Sequence, residues 1–183
     1  MRFLYSWLKE FIELSVPPES LAQRLTMAGL EVTNLARLDG DWLFEAEVTP
    51  NRPDLLSHLG IARETAAILG RSFRFPRWLH REIQPLPVGE CLLSISIEDP
   101  KDCPRYVGVV IEGVKVCPSP KEVADRLTRI GLKPVNNVVD ATNLCLFEMG
   151  QPLHGFDLDR IEGETLTVRR ARGGEALVTL DGE

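Results

Sequence analysis

A proline-bearing stretch without a clean hydrophobic period divides the sequence into two parts. Residues 71–90 are RSFRFPRWLHREIQPLPVGE and contain three prolines. Proline lacks a backbone donor and is excluded from helix interiors and central strands, so no continuous element is expected here. The chain has 183 residues, which suits one large domain or two small ones. We therefore predict an N-terminal domain at 1–75, a linker at 76–90 and a second domain at 91–183.

The first 70 residues contain two helix patterns, a hairpin pattern and a third helix pattern. Ser6 can cap the first helix, and Gly29 is placed to end the second. An Asp-Gly pair at 39–40 favours a tight turn between two extended stretches. The expected elements are strands at 30–38 and 42–48 and a helix within 49–70. This order predicts an α+β fold that begins with a small winged-helix-like domain.

Beyond residue 90 the hydrophobic pattern changes from helical spacing to alternation. CLLSISIED (91–99) alternates as a strand does, and RYVGVVIEGVKV (105–116) looks like its partner. Ser119 is placed to cap a helix over 119–131. An alternating stretch at 164–172 is followed by ALVTLDGE, a strand pattern that enters a turn, so we expect a truncated domain. We interpret this second domain as the first part of a mixed α/β fold.

Charge and composition argue against several classes of protein. The net charge is −6, whereas dedicated nucleic-acid-binding proteins are usually basic, so any contact with RNA would be local or shared with another subunit. The four cysteines form no CxxC pair, and we expect no metal site. No run approaches the roughly 18 apolar residues of a membrane span. Without an export signal in the sequence, we expect a cytoplasmic protein with no membrane partner.

The segment NNVVDATNLCLFEMGQPLHGFDLDRI (136–161) carries many polar side chains in an otherwise apolar stretch. A buried polar group without a partner costs about 1–3 kcal/mol, so these groups either satisfy one another or bind something outside the chain. Asn136, Asn137 and Asp140 stand at the entry of a predicted helix, where caps and turn bonds are the expected roles.

Three further residues stand outside that segment. Arg52, in TPNRPD (49–54), is expected to pair with a carboxylate across a domain boundary, and direct contact with RNA is the alternative. His58 and His80 have no partner pattern in the sequence, so no role is predicted for them.

Three stretches, in this order, carry a family resemblance. They are YSWLKEFIEL with LAQRLTMAGLEV, then EVTPNRPDLLSHLGIARETAAILG, then NNVVDATNLCLFEMGQPLHGFDLDRIEG with VRRARGGEALVTLDG. The chain resembles the N-terminal part of the beta subunit of bacterial phenylalanyl-tRNA synthetase over nearly its whole length. The resemblance implies that the second domain begins the editing domain, which hydrolyses tyrosine wrongly attached to the phenylalanine tRNA.

Two departures from the family pattern accompany the resemblance. Family members usually carry a tRNA-binding OB-fold between the first two stretches, but here NLARLDGDWLFEAE (34–47) bridges them directly. The family's subunit is also several times longer, so the resemblance implies a fragment or a shortened form.

The resemblance implies the site residues as well. Lys133, Thr142 and Asn143 are the implied substrate-binding residues, and His154 is the implied catalytic residue of editing. An imidazole can orient water or act as a base, and hydroxyl and amide groups can hold ribose hydroxyls and the substrate amine. A pocket that hydrogen-bonds the tyrosine phenol rejects phenylalanine, because its polar groups would stay unpaired. Lys133 stands where the family commonly has arginine, and a further pocket glutamate of the family would lie beyond residue 183.

The implied function is that of a phenylalanine–tRNA ligase beta subunit, which supports attachment of phenylalanine to tRNA(Phe) and edits tyrosyl-tRNA(Phe). The implied partners are the alpha subunit, in an α2β2 tetramer, and tRNA(Phe). ATP and Mg²⁺ belong to the whole enzyme, and no cofactor is expected in this segment. We expect the isolated chain to be inactive. The alternatives are a non-catalytic RNA- or subunit-binding module and a free-standing aminoacyl-tRNA editing factor.

Overall fold

The computed structural model describes residues 1–76 and 93–178, and the chain divides into two compact units. The first unit comprises Met1–Ile83 and Lys115–Gly155, and the second comprises Gln84–Val114 and Phe156–Glu183. Helices and strands are both present, which confirms the predicted mixed fold class. The winged-helix character of the N-terminal part stays a prediction. Nearly all of the predicted linker, residues 77–90, lies outside the described residues.

An antiparallel sheet with the strand order β1-β3-β2 lies in the first unit. Its strands are β1 (Arg2–Leu4), β2 (Glu31–Leu38) and β3 (Asp41–Glu47). Gly40, between β2 and β3, has a φ of +73°, the left-handed conformation that a tight hairpin turn requires. The predicted hairpin is therefore confirmed. Phe44 of β3 is fully buried and stacks on Phe3 with 4.9 Å between ring centroids, which holds β1 to β3.

Five α-helices lie in the described residues, all in the first unit. They are α1 (Tyr5–Leu8), α2 (Pro18–Met27), α3 (His58–Leu69), α4 (Lys121–Arg129) and α5 (Asn137–Met149). Ser57 caps α3 by accepting a hydrogen bond from Gly60 N at 3.0 Å, and Gly70 ends the helix with a φ of +60°. The second and third predicted helices are thus confirmed. Within the described ranges, no helix is long and apolar enough to cross a membrane.

The first helix is a short one and is not capped by Ser6. α1 is a single turn after β1, and its N-cap is Leu4, which makes no side-chain cap bond. Ser6 instead donates to the buried Asp41 carboxylate through its hydroxyl and through its backbone N–H, the latter at 2.9 Å. The Ser6 cap prediction is wrong because this carboxylate takes both donors. The apolar side chains of α1 and the residues after it are nevertheless buried: Trp7, Leu8, Phe11, Ile12 and Leu14.

Residues 115–155 complete the core of the first unit, whereas the sequence assigned them to a separate second domain. Leu127 and Ile130, at the end of α4, are only 0% and 3% exposed and belong to the same core cluster as Trp7. Arg126 lies 4.5 Å over the Trp7 ring. The compact units differ from the predicted segments because the N-terminal core takes up the apolar side chains of this helix. The domain boundaries of the family stay a prediction.

The start of α4 corrects a second capping prediction. The helix within 119–131 is confirmed, but Pro120 is its N-cap and makes no side-chain cap bond. The Ser119 hydroxyl donates to the buried Asp140 carboxylate, so it serves α5 and not α4. In both corrected caps a buried aspartate attracts the serine, since a buried carboxylate left without donors is costly.

The second unit contains two paired strands in its described part, β4 (Ser94–Ile97) and β5 (Thr165–Val168). They pair in parallel, with Ile95 opposite Leu166. The predicted partner strand at 105–116 is wrong, because those residues form no strand. Their alternating apolar side chains are exposed, at 65% for Val107 and 77% for Val109, so no buried face fixes a register. The predicted final strand is not formed at 176–178, and its remainder lies outside the described residues.

Candidate editing segment and family membership

Asn136 and Asn137 fix the start of α5. Asn136 is the N-cap, and its Oδ1 accepts hydrogen bonds from Val138 N and Val139 N, both at 3.0 Å. Asn137 joins the helix to residues 115–117: its Oδ1 accepts from Cys117 N at 3.1 Å, and its Nδ2 donates to Lys115 O at 3.0 Å. The predicted structural roles of these two residues are confirmed.

Asp140 is the buried polar centre of the same helix entry. Its side chain has no exposed surface, its Oδ1 accepts from Val135 N at 2.9 Å, and its Oδ2 accepts from the Ser119 hydroxyl. One carboxylate therefore fixes both the segment before α4 and the segment before α5. The predicted structural role of Asp140 is confirmed.

The exit of α5 is held by His58, a residue for which the sequence predicted no role. The imidazole is fully buried, its Nδ1 lies 2.7 Å from Phe147 O, and its Nε2 lies 3.2 Å from Leu4 N. Its ring stacks on Trp7 with 3.8 Å between centroids. The pKa of His58 is lowered to about 3. Burial is the main cause, the Phe147 hydrogen bond opposes it, and the nearby positive charge of Arg126 acts in the same direction as burial. His58 is therefore a neutral imidazole with both nitrogens paired.

One sequence signal for His58 exists in hindsight. His58 lies on the same face of α3 as Ile61, Ala62 and Thr65, at helical spacings of three, four and seven residues, and all four are buried. A histidine at the first position of an apolar helical face is expected to be buried, and a buried histidine needs partners for both nitrogens. The sequence does not reveal that one partner lies in α5.

The loop after α5 carries His154 and returns to the helix. Gly150 ends the helix with a φ of +80°, and a Cβ placed on it would lie 3.4 Å from Ser57 Cβ. A Cβ placed on Gly155 would lie 3.1 Å from Val138 Cγ1. Val138 is one helical turn before Thr142, so the loop comes back to the side of α5 that carries Thr142. His154 is exposed on this loop.

The four implied site residues all lie in the first unit, and each is at least partly accessible. Thr142 and Asn143 are half-buried on α5, and the Thr142 hydroxyl donates to Val139 O at 2.7 Å. Lys133 is exposed in the segment before the helix, and among the described residues it takes part in no ion pair. Thr142 and Asn143 lie on one helix, and Lys133 and His154 lie on its two flanking segments.

The cysteine on α5 and the acidic residues do not add a nucleophile or a metal site. Burial, and then the nearby Glu148 carboxylate, raise the pKa of the Cys145 thiol, which keeps it protonated and a poor nucleophile. In residues 1–76 and 93–178 no group of three or more His, Cys, Asp or Glu side chains is placed to hold a metal ion. The four implied site residues supply hydroxyl, amide, ammonium and imidazole groups.

Arg52 has an architectural environment. Its Nε and Nη2 donate to the two Asp54 oxygens, each at 3.0 Å, and its Nη2 also donates to Glu64 at 2.8 Å. These hydrogen bonds raise the pKa of the guanidinium, and Arg52 in turn lowers the pKa of Asp54. The predicted carboxylate partner is confirmed, but both carboxylates lie in the same unit as Arg52 and not across a boundary.

Comparison with known proteins places these elements in a family. Residues 102–183 match the B3/4 domain. The phenylalanine–tRNA ligase beta subunit of Carboxydothermus hydrogenoformans is 46% identical over 167 residues, which are 91% of this chain and 20% of the relative. The beta subunit of Anaeromyxobacter dehalogenans is 48% identical over 86% of this chain and 19% of the relative. That of Rhodopirellula baltica is 37% identical over 97% of this chain and 26% of the relative.

The chain belongs to the phenylalanine–tRNA ligase beta subunit family. The resemblance inferred from the sequence motifs is thereby confirmed. The chain spans about a fifth to a quarter of the length of these beta subunits. The B3/4 match contains α4, α5 and all four implied site residues, whereas α1, α2 and α3 precede it.

Proposed function

We propose that this chain is the part of a phenylalanine–tRNA ligase beta subunit that supports attachment of phenylalanine to tRNA(Phe) and forms one wall of the site that hydrolyses tyrosyl-tRNA(Phe). The observation that carries the proposal is the contrast along α5. Its two ends are fixed by Asn136, Asp140 and His58, while Thr142, Asn143 and His154 stay accessible. A rigid helix that presents accessible polar groups suits recognition of a ligand.

The roles follow from the chemistry of each side chain. His154 orients a water molecule or takes its proton as the water attacks the ester carbonyl of the mischarged tRNA. The bond between that carbonyl carbon and the ribose oxygen then breaks, which releases tyrosine and a ribose hydroxyl. Thr142 and Asn143 bind the terminal adenosine or the substrate amine, and the Lys133 ammonium attracts the tRNA backbone. Rejection of phenylalanine follows from polar groups that only the tyrosine phenol would satisfy.

The remaining parts of the proposal concern the whole ligase. ATP and Mg²⁺ serve the aminoacylation reaction of the complete enzyme, and we assign neither to the described residues. The proposed partners are an alpha subunit, in an α2β2 assembly, and tRNA(Phe), and the proposed location is the cytoplasm. We also retain the winged-helix-like character of residues 1–75 and the start of the editing domain after residue 90 as proposals.

A second candidate is a binding module without catalysis. The hydrogen bond of the Thr142 hydroxyl favours this candidate. The hydroxyl already donates to Val139 O, so it can only accept a hydrogen bond from a ligand. In this alternative α5 and its loop hold the end of a tRNA, and no residue of this chain assists hydrolysis.

The deciding experiment measures tyrosine release from tyrosyl-tRNA(Phe) by the ligase assembled from the alpha subunit and the beta subunit that contains this chain. We expect His154→Ala to lower the rate about 100-fold, the lower end of a general-base effect, with phenylalanine attachment unchanged. Thr142→Ala should lower it as well. The matched control is Thr128→Ala, since Thr128 is an exposed helical threonine whose hydroxyl also donates to a backbone carbonyl, at 2.8 Å.

The outcomes separate the two candidates. If His154→Ala releases tyrosine at the normal rate, the catalytic role is wrong. If, in addition, Thr142→Ala weakens tRNA binding while Thr128→Ala does not, the binding module is the better description.

A further inference from the structure

We infer that His58 is a positioning residue for the proposed editing site, because its hydrogen bond to the Phe147 carbonyl closes the last turn of α5 and sets the loop that carries His154. This inference rests on the proposed function for the role of α5, but the contacts that carry it belong to the first unit alone. The residue acts through the helix and touches no substrate.

The Phe147 carbonyl is one of the groups that a helix end leaves without a partner. The last four carbonyls of an α-helix have no intrahelical donor, and α5 ends at Met149. Gly150 N donates a hydrogen bond to the Leu146 carbonyl at 2.8 Å, and His58 Nδ1 lies 2.7 Å from the Phe147 carbonyl oxygen. A side chain of α3 thus completes the hydrogen bonding of α5 at its C-terminal end.

The neighbours of His58 allow one arrangement of its ring. Leu4 N is a donor, so Nε2 must be the unprotonated nitrogen, and the proton must therefore be on Nδ1, facing Phe147 O. The other tautomer would set an Nε2–H against the Leu4 N–H, and a flipped ring would place carbon atoms at both positions. The stack on Trp7, with 27° between the ring planes, holds the imidazole plane. The direction of the bond to α5 is therefore fixed by β1 and α1.

The junction continues from the helix end into the loop. Ser57, the N-cap of α3, lies against Gly150, so the first residues of α3 meet the last residues of α5 at two adjacent points. From there the loop runs past His154 to Gly155, which lies against Val138. A shift of the last turn of α5 would therefore move the start of the loop. The end of the loop, at Gly155, would stay in contact with the first turn of α5.

Two substitutions of His58 each keep one of its two hydrogen bonds and remove the other. An asparagine amide places its N–H group near the position of Nδ1, so His58→Asn keeps a donor for Phe147 O and loses the acceptor for Leu4 N. A glutamine amide places its oxygen near the position of Nε2, so His58→Gln keeps the acceptor and loses the donor to α5. Thr65→Val is the matched control, because Thr65 is equally buried on α3 but donates within its own helix, to Ile61 O at 2.8 Å.

Backbone hydrogen exchange of the 183-residue chain tests the inference without any activity. In His58→Gln we expect exchange within residues 146–155 to rise about tenfold, the effect of losing one hydrogen bond of ordinary strength. His58→Asn and Thr65→Val should change this segment by less than about threefold, and exchange in α2 should be unchanged in all three. Equal effects of Gln and Asn on 146–155, or no effect of Gln, would overturn the inference.

A measurement on the unsubstituted chain keeps the inference testable if a variant does not fold. Nitrogen-15 spectra of histidine-labelled protein distinguish a protonated ring nitrogen from an unprotonated one. We expect one histidine that stays neutral between pH 7 and pH 5, with its proton on Nδ1. A His58 with its proton on Nε2 would contradict the assigned geometry.

Activity then separates this inference from the proposed function. In the assembled ligase, His58→Gln should lower the rate constant of tyrosine release without weakening tRNA binding, and His58→Asn should restore part of it. If His154→Ala leaves tyrosine release unchanged, the proposed function fails, although the exchange result still stands. If His154→Ala abolishes release while His58→Gln does not affect it, the positioning role fails.

Discussion

Lowering the pH from 7 to 5 should destabilise the first unit by about 2 kcal/mol through His58 alone. The pKa of His58 is lowered by burial from 6.5 to about 3 in the folded chain. Between these two values the unfolded chain binds a proton that the folded chain does not. The free energy of unfolding is therefore highest above pH 6.5, falls by up to about 1.4 kcal/mol for each pH unit below it, and levels off near pH 3.

The interval between pH 7 and pH 5 isolates this histidine from the paired carboxyls. Arg52 holds the pKa of Asp54 below its ordinary value of 3.8, and Arg169 lowers the pKa of Glu175 to about 2. Those groups bind protons only at lower pH, where their own contribution to stability is lost as the pH falls further. The positive charge of Arg126 acts in the same direction as burial and adds to the cost of protonating His58.

Urea unfolding at pH 7, 6 and 5, followed by tryptophan fluorescence and by far-ultraviolet circular dichroism, measures the effect. His58→Asn should remove most of the pH dependence. The matched control is His154→Ala, which removes a histidine that is exposed on a loop and leaves His58 in place. An unchanged midpoint between pH 7 and pH 5 would refute the reasoning. So would a pH dependence that persists in His58→Asn, since another group would then be responsible.

Two further substitutions test a close backbone contact at Gly60 and a buried carboxylate at Asp140. Gly60→Ala would place a Cβ 1.7 Å from the Asp54 carbonyl oxygen, so we expect a loss of more than about 3 kcal/mol in urea unfolding, whereas Gly173→Ala, with nothing within 4 Å, should be neutral. Equal midpoints for the two alanine variants would contradict the close approach. Asp140→Asn should lower the free energy of unfolding by about 1–3 kcal/mol, because an NH2 group, which is a donor, replaces one of the two oxygens that accept from Val135 N and the Ser119 hydroxyl. A stable Asp140→Asn variant would show that the buried carboxylate is dispensable.

Local signals in the sequence were sufficient where both partners are near in the chain. The Asp-Gly pair at 39–40 predicted the hairpin, and the helix expected within 49–70 is α3, which ends at Leu69. The cap at Asn136 depends only on the two residues after it and was found in the same way. These features are decided by backbone conformation and by donors within one helical turn.

Contacts between distant residues could not be derived from spacing. The Ser6 and Ser119 hydroxyls were predicted as caps, but each is taken by a buried aspartate, 35 and 21 residues away. The partner of β4 is β5, some 70 residues later, because parallel strands need a long connection. His58 was missed for the same reason, since its acceptor is a main-chain carbonyl that carries no sequence signature. The proposed roles of Lys133, Thr142, Asn143 and His154 come from the family resemblance.

The separation of 89 positions between His58 and the carbonyl it binds also determines when this contact can form during synthesis. At a translation rate of roughly 5–20 residues per second, the ribosome needs on the order of 4–18 seconds to make the acceptor after the imidazole. During that interval Trp7 and its neighbours lack the side chains of α4 that later cover them. A nascent chain paused between the two segments would present this surface to the translation machinery and to chaperones. Synonymous codon changes between residues 77 and 114 are therefore expected to alter the yield of folded protein without changing its sequence.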